Sequence, residues 1–436
     1  MCIEGMEDDG HRYIKKAVMM GARIIVASKF SDCQVPLILT DNTKEALSVL
    51  VKNFYQKRPK KIVGITGTNG KTSVSYMIDS ILKAKGMKTG VLGTLGAYSC
   101  GKEISLDART STTPDIAELY RVLNEMGDEV DSLTMEVSSH ALSQGRVSGL
   151  SFDVGVFTNL TPDHLDYHKT MEEYYLAKRK LFEISKYKVI NCDDEYGRRL
   201  KDEFTDAIGY GIDDGDIRAS DINVTQNGSE FTLKIGRKTE RITLNIPGEF
   251  SIYNALAAAG ATYLLGATIC DIKTGLSNLS GVKGRMEEIK IGNINVVIDY
   301  AHTPDGLLKV LKTLKKTVSG RLICLFGCGG DRDRTKRAVM GKIGLENSDL
   351  LVITSDNPRT ENPNEIIIDI LTGVKGDNYI VIPNRKEAIH TALSMAKAGD
   401  TVLLAGKGQE TYQIIGKEKY RFDEREIIKE WKEKRG

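Results

Sequence analysis

Residues 61–72 read KIVGITGTNGKT, and this stretch decides the fold. Ile62, Val63, Ile65 and Thr66 are apolar or β-capable and predict a strand. The run enters Gly67-Thr68-Asn69-Gly70-Lys71-Thr72 directly, and a helical pattern over 73–85, opening on Ser73, follows. A strand, a glycine-rich turn and a helix N-terminus form a phosphate cradle. Backbone N–H groups and the helix dipole face the anion, a lysine adds a point charge, and a neighbouring hydroxyl can hold Mg²⁺. Lys71 and Thr72 are those two residues here. The usual spacing puts a glycine where Ile65 stands; Gly64 and Gly67 flank that place instead, so the loop is a variant. The plainer reading is an ordinary glycine turn, and Gly-Lys-Thr at a strand–helix junction argues against it.

The remaining sequence bounds the class. A chain of 436 residues implies about three domains of ordinary size. Hydrophobic residues make up 41% and charged residues 28%, the balance of a soluble globular protein. A formal charge of +2 gives no bulk attraction for nucleic acid. The seven cysteines are scattered without a CxxC pair, which argues against zinc and suits free thiols in a reducing cytosol. There is no apolar run of spanning length and no signal peptide, so the expected location is cytoplasmic, with no membrane partner.

Outward from the loop, strands are expected at 89–94, 132–137, 154–159 and 189–191, with helices at 115–126 and 171–184 between them. This alternation is that of a mostly parallel sheet covered on both faces. Residues 221–244 break the rhythm with alternating strands and an Asn227-Gly228 hairpin signal. The stretch 247–265 returns to helix. Residues 281–285, GVKGR, are glycine-rich and basic and mark a boundary. Strand–helix alternation then restarts, with strands at 296–300, 322–326, 350–355, 379–382 and 401–405 and helices at 306–317, 335–345, 365–371 and 386–398. Before the loop lie a helix, strands at 23–27 and 35–40, and a helix over 43–56 that Asn42 and Glu45 would cap reciprocally. The first five residues are strand-like. The expected domains are therefore 1–58, 59–282 and 283–436, an α/β protein throughout.

Polar clusters fall at the ends of strands, where sites in such sheets sit. Glu136 ends one strand beside the loop, and its carboxylate is hard oxygen of the kind Mg²⁺ prefers. Residues 159–168, NLTPDHLDYH, carry two histidines and two aspartates. Residues 174–182, YYLAKRKLF, read as an amphipathic helix in which spacing does not separate Lys178 from Lys180. Residues 299–304, DYAHTP, place Asp299 and His302 in one turn. Residues 356–359, DNPR, put Arg359 on a turn stiffened by Pro358, able to grip a carboxylate with two hydrogen bonds.

Taken together these stretches resemble the Mur ligase family, ATP-dependent amide-forming enzymes of cell-wall precursor synthesis. GTNGKT, MEVSSHAL, NLTPDHLDYH, YYLAKRKLF, GRME, DYAHTP, GCGGDRDRTKR, DNPR and GKGQE occur in the family's order across nearly the whole chain. The resemblance implies three domains: an N-terminal UDP-binding domain, a central P-loop ATPase and a Rossmann-like C-terminal domain that takes an amino acid. It implies a monomer using ATP and Mg²⁺ to add meso-diaminopimelate to UDP-N-acetylmuramoyl-L-alanyl-D-glutamate through an acyl phosphate. Gly67, Thr68, Asn69, Gly70, Lys71, Thr72, Ser73, Asn254, Arg285, Asp299 and His302 match nucleotide contacts. Thr72, Glu136 and His164 match metal ligands, and Lys178 matches a lysine carbamylated to an anionic ligand; only the resemblance selects it. Thr112, Thr113, Ser138, Gln144 and Arg146 match contacts to the UDP-sugar peptide. Arg332, Asp356, Asn357, Pro358, Arg359, Gly406 and Glu410 match the diaminopimelate pocket, and family members that add L-lysine generally lack the arginine of DNPR. Two departures accompany these matches. Ser251 stands where several members have asparagine near the nucleotide. Judged by the family's layout, the N-terminal domain is expected to begin about forty residues earlier with a Ser-Arg loop that grips uridine, so that either the chain start is misassigned or the uridine pocket is truncated. Competing readings are an L-lysine-adding ligase, a folylpolyglutamate synthetase and a non-catalytic UDP-sugar-binding relative. DNPR argues against the first, DNPR and the N-terminal remnant against the second, and intact Lys71, Glu136, His164 and Lys178 against the last.

Overall fold

A computed structural model of the chain describes residues 1–5, 8–106 and 112–434. The strand Ile62–Thr66 is buried along its whole length. It pairs in parallel with Ser132–Glu136 on one side and Phe152–Phe157 on the other. These lie inside an eleven-stranded sheet among the described residues. Beyond Ser132–Glu136 come Thr89–Gly93, Gly96–Ser99 and Lys102–Ile104. Beyond Phe152–Phe157 come Ser185–Asn191, Ile208–Gly211, Ile217–Thr225, Gly228–Ile235 and Lys238–Leu244. The middle is parallel and both margins are antiparallel hairpins. The inner strands are continuous runs because helices cover both faces, whereas Gly228–Ile235 alternates. The hairpin at Asn227-Gly228 forms as expected. The hairpin Gly96–Ile104 and the strand Ile208–Gly211 are additions to the reading of the sequence.

The helix after the loop is Lys71–Ala84, two residues longer at its start than expected. Gly70, at φ +89°, turns the chain into it, so Lys71 and Thr72 belong to the first turn, whose N–H groups lack intrahelical partners. Its buried face (Val74, Met77, Ile78, Ile81, Leu82) packs on Glu249–Leu264 and Ile269–Asn278. The approach is close enough that a Cβ on Gly275 would stand 2.3 Å from Ile81 Cα. Ser251 is buried in Glu249–Leu264 and bonds back to Pro247 O at 3.0 Å, which turns its hydroxyl into the helix.

The N-terminal part is a two-stranded parallel sheet, Ile25–Ala27 with Leu37–Leu39, over a small core of Cys2, Ile14, Ile25 and Ala27. Two expectations are corrected. The first residues make a single bridge, Glu4 to Asp9, and one bond from Cys2 N–H to Val26 O, not a strand. The reciprocal cap on Thr43–Phe54 is half made: Asn42 accepts from Glu45 N–H, but the Asn42 N–H goes to Thr40 Oγ1.

The C-terminal sheet runs Glu287–Ile291, Ile294–Asp299, Thr401–Ala405, Leu322–Phe326, Leu350–Ile353 and Tyr379–Val381, parallel except for its first strand. Its last helix, Glu424–Glu433, lays Ile427, Ile428 and Trp431 on the helix Arg385–Met395. Among the described residues no helix is long and apolar enough to cross a membrane.

Candidate active site

The loop after Ile62–Thr66 is held open by neighbours that leave no room for side chains. A Cβ on Gly67 would meet Thr158 Oγ1 at 1.8 Å, and one on Gly70 would meet Asn254 Oδ1 at 2.5 Å. Lys71 folds over the loop and donates to Gly67 O and Thr68 O, both at 2.9 Å. A second lysine reaches the same place: Lys178 Nζ donates to Gly67 O at 2.8 Å. Lys178 is 1% exposed whereas Lys180 lies at the surface, so the structure separates the two residues that spacing did not. Burial, reinforced by the Lys71 ammonium and opposed by Asp163, pulls the Lys178 amine well below its usual range.

His164 adopts φ +56° ahead of the short helix Leu165–His168, and its Nε2 lies 3.4 Å from Asp163 Oδ2. Desolvation holds the imidazole neutral against the pull of Asp163. Asp163 itself was missed among the expected site residues. It is buried, and it binds Lys336 Nζ at 3.2 Å and faces His302 Nε2 at 3.9 Å. Burial would raise its carboxyl, but Lys336, then His164 and His302, overrule this and hold it well below the carboxylate range. Lys336 and His302 belong to the C-terminal domain, so Asp163 ties two domains at the loop. Its place in NLTPDHLDYH was the available signal. Arg285 makes a second tie, from Nη2 to Thr72 Oγ1 at 3.0 Å, and lies over the Tyr300 ring. Asn69 makes a third, to Asp305 at 3.1 Å. Asp299 is spent on Met286 and Ala301 N–H groups, and His302 Nδ1 donates to Tyr300 O.

Glu136 is buried at the end of its strand, its two oxygens accepting from Thr94 N–H at 2.9 Å and Thr94 Oγ1 at 3.0 Å. Gly93 leaves it room, since a Cβ there would stand 2.3 Å from Oε1. The expected sugar-peptide residues converge next to it. Thr94 Oγ1, whose hydrogen goes to Glu136, lies 3.3 Å from Thr112 Oγ1; Thr113 Oγ1 donates to Glu136 O, Ser138 N–H to Thr113 Oγ1, and Arg146 to Thr113 O and Gln144 Oε1. Ser138 caps the helix Ser139–Gln144. Ser73, in the first turn after the loop, is half-buried.

The third group sits at strand ends of the C-terminal sheet. Asn357 bridges Glu410 at 2.9 Å and Lys407 at 3.0 Å. Lys407, also missed, is fully buried and binds Glu410 at 3.2 Å; it lies within the quoted GKGQE. Asp356 Oδ2 is buried with no hydrogen-bond partner and lies over Gly406, whose φ is +110°. Arg359 holds φ +51°, fixed by bonds to Ile414 O and from Gly416 N–H. Such an outlier points to function. Its guanidinium donates to Gly330 O at 2.8 Å, and no described carboxylate pairs with it. Burial and then the neighbouring Arg332 charge lower its pKa. Asp356, Glu410 and Asp331 act on Arg359 from beyond ion-pair distance, so its guanidinium has no direct carboxylate partner among the described residues. Pro358, next in the turn, is buried.

Comparisons with known proteins identify the family. Residues 65–262 match the Mur ligase middle domain and residues 284–408 the Mur ligase glutamate ligase domain. The chain belongs to the Mur ligase family. It is 48% identical, over 99% of its length and 91% of the relative's, to UDP-N-acetylmuramoyl-L-alanyl-D-glutamate--2,6-diaminopimelate ligase 1 of Clostridium acetobutylicum. A solved structure of a ligase with that name, without the numeral, is 31% identical and superposes with a TM-score of 0.68, covering 98% of this chain and 90% of that one. The MurF ligase of Thermotoga maritima, solved with ADP, shares the fold at 19% identity and a TM-score of 0.71, over 100% and 95% of the two chains.

Proposed function

We propose that this chain is an ATP-dependent ligase that joins meso-diaminopimelate to UDP-N-acetylmuramoyl-L-alanyl-D-glutamate in the cytoplasm, a step of peptidoglycan precursor synthesis. The observation that carries the reading is Arg359: partly buried, on a strained turn beside Arg332, and unpaired. The name of the 48% identical relative supports it, as do seven free thiols for the location.

The nucleotide binds at the loop, its phosphates on Lys71 and the amides of Gly67 to Ser73, with Asn254, Arg285, Asp299 and His302 around it. The donor set fits Mg²⁺: among the described residues each Glu136 oxygen accepts one bond, the Thr72 hydroxyl lies in the first turn after the loop, where it accepts from Arg285, and burial holds the His164 imidazole neutral. Thr72 and Glu136 would hold one ion, and His164 with carbamylated Lys178 the other. The Lys178 nitrogen adds to CO₂ and releases a proton, which converts a buried amine into an anionic ligand. Bound Mg²⁺ neutralises charge on the phosphoryl oxygens. Thr112, Thr113, Ser138, Gln144 and Arg146 hold the sugar peptide so that its carboxylate attacks the γ-phosphorus in line, releasing ADP and leaving an acyl phosphate. The amine of diaminopimelate then attacks the acyl carbon and expels phosphate. Catalysis of this kind is positioning and charge neutralisation. Asp356 and Glu410 hold the amino acid's ammonium end away from the reacting amine, and Arg332 and Arg359 its distal carboxylate.

The test is ATP-dependent phosphate release with the UDP-dipeptide and meso-diaminopimelate, L-lysine or no amino acid. Release with diaminopimelate alone is expected. Preference for lysine, or no release with either, rejects the reading.

A further inference from the structure

Arg385 and Glu424 form an ion pair in which both side chains are 0% exposed. Arg385 opens the helix Arg385–Met395, and Glu424 opens the last helix of the chain, Glu424–Glu433. The Arg385 Nε donates to Glu424 Oε1 at 2.9 Å, and Nη2 stands 2.9 Å from the same oxygen. That leaves the rest of the guanidinium fork for the backbone. Nη2 also donates to Ala405 O at 2.9 Å and Nη1 to Ser355 O at 3.4 Å.

Those two carbonyls have particular places. Ala405 ends the strand Thr401–Ala405, and the next residue is Gly406. Ser355 follows the strand Leu350–Ile353, and the next residue is Asp356. The two strands are not neighbours, because Leu322–Phe326 lies between them, so no ladder bond fixes one end against the other. A planar fork with several donors spans that gap, and an ammonium does not. Contact between the two ends is tight: a Cβ on Gly406 would stand 3.0 Å from Asp356 Oδ2, the carboxylate oxygen that has no partner. A small parting of the strands moves that oxygen relative to Gly406, Asn357 and Glu410.

We infer that Arg385, anchored by Glu424, is a positioning residue for the amino-acid pocket, and that the last helix of the chain thereby sets the affinity for the incoming amino acid. The inference rests on the proposed ligase reading for the identity of that amino acid. Burial would raise the Asp356 carboxyl; Lys407 and then Arg385 hold it low, so the same guanidinium also favours the anion that meets an ammonium group. Neither Arg385 nor Glu424 reaches the substrate, since Ser355, Ala405 and the strand ends stand between.

The test compares the full-length protein with two variants. Arg385→Lys keeps the buried charge pair but cannot hold Glu424 and both carbonyls at once. The double variant Arg385→Met/Glu424→Met removes both charges together, which avoids stranding one of them. KM is measured for meso-diaminopimelate, ATP and UDP-dipeptide, with the thermal midpoint as a control for folding. The expected result is a KM for diaminopimelate raised at least tenfold in both variants, with the other two KM values within twofold of wild type. An unchanged diaminopimelate KM in the Lys variant, or all three KM values rising together in either, overturns the inference. A wild type that does not ligate diaminopimelate rejects the ligase reading instead, and that result is read before any variant is made.

Discussion

Lys71 and Lys178 donate to one and the same oxygen, Gly67 O, at 2.9 and 2.8 Å. Two ammonium groups sharing an acceptor in a buried place repel each other, and both amines lie below their usual range. Lys178 has the deeper burial and gives way. On the proposed reading it is the amine that would take up CO₂, after which the pair would become a cation beside an anion. Lys178→Ala is therefore expected to lower kcat by at least about 10²–10³-fold, the size of losing one preorganised electrostatic group. Short carboxylates at millimolar concentration are expected to restore part of it. In ¹³C-bicarbonate the wild type should show a carbamate resonance that the variant lacks. Near-normal turnover in Lys178→Ala would reject the assignment.

Gly70→Ala tests the cradle. The substitution puts a side chain at φ +89° and 2.5 Å from Asn254 Oδ1. The left-handed conformation alone costs about 1–2 kcal/mol in a residue with a Cβ, and Asn254 must also move. ADP binding by calorimetry should weaken at least tenfold while the thermal midpoint falls by only a few degrees. Unchanged ADP affinity would show that the loop tolerates displacement of Asn254.

Much of this was legible because the loop, the parallel strands and the strand-end clusters are local patterns. The residues that escaped share a physical reason. Lys336 and Arg337 lie in a basic run, and charged runs read as solvated. Arg337 is nevertheless fully buried, its guanidinium held by Glu361 and Asp369 from other elements. Arg385 and Glu424 were hidden in the same way, since they pair across 39 residues, and Lys407 reaches back 50 residues to Asn357 even though its charged partner Glu410 is only three residues on. The hairpin Tyr412–Ile415 with Glu418–Arg421 was missed because its second strand is exposed throughout and shows no alternation. Pairing across distance decides these cases, and no spacing rule reports it.

Asp400 gives a pH prediction away from the site. It is buried and accepts from the Arg321 and Lys397 N–H groups at 2.8 and 2.9 Å and from the Arg321 guanidinium. Burial would raise its pKa, but the backbone bonds and then Arg321 lower it. A carboxyl depressed in the folded state stabilises above its unfolded value, about 3.9, and that contribution is lost as pH falls through the folded value. Asp400→Ala is expected to cost about 1–3 kcal/mol at pH 7, the range for stranding buried N–H groups. The gap from wild type, measured by denaturant unfolding, should narrow below pH 4. A gap that widens on acidification would contradict the sign.

Arg359 is expected to select meso-diaminopimelate over L-lysine. The two amino acids share an α-amino acid end and a distal amine, and differ by one distal carboxylate. The guanidinium of Arg359 is partly buried on the turn after Pro358, held by Gly330 O, with Arg332 close enough to depress it. Gly329 makes the space, for a Cβ there would stand 2.9 Å from Arg359 Nη1. A carboxylate can accept two parallel bonds from this fork. Lysine offers none and leaves two cations facing its own. A site built around such a group rejects the analogue lacking its partner by about 10⁴-fold. Arg359→Ala should cost about 2–5 kcal/mol in kcat/KM for diaminopimelate, the range for removing one half of a buried charge pair. It should leave the slow lysine reaction unchanged or slightly faster, because a repulsive charge has gone. The measurement is kcat/KM for both amino acids in wild type and variant. A wild type that prefers lysine, or a variant that keeps the full preference for diaminopimelate, would move the selection elsewhere, with Arg332 the next residue to replace.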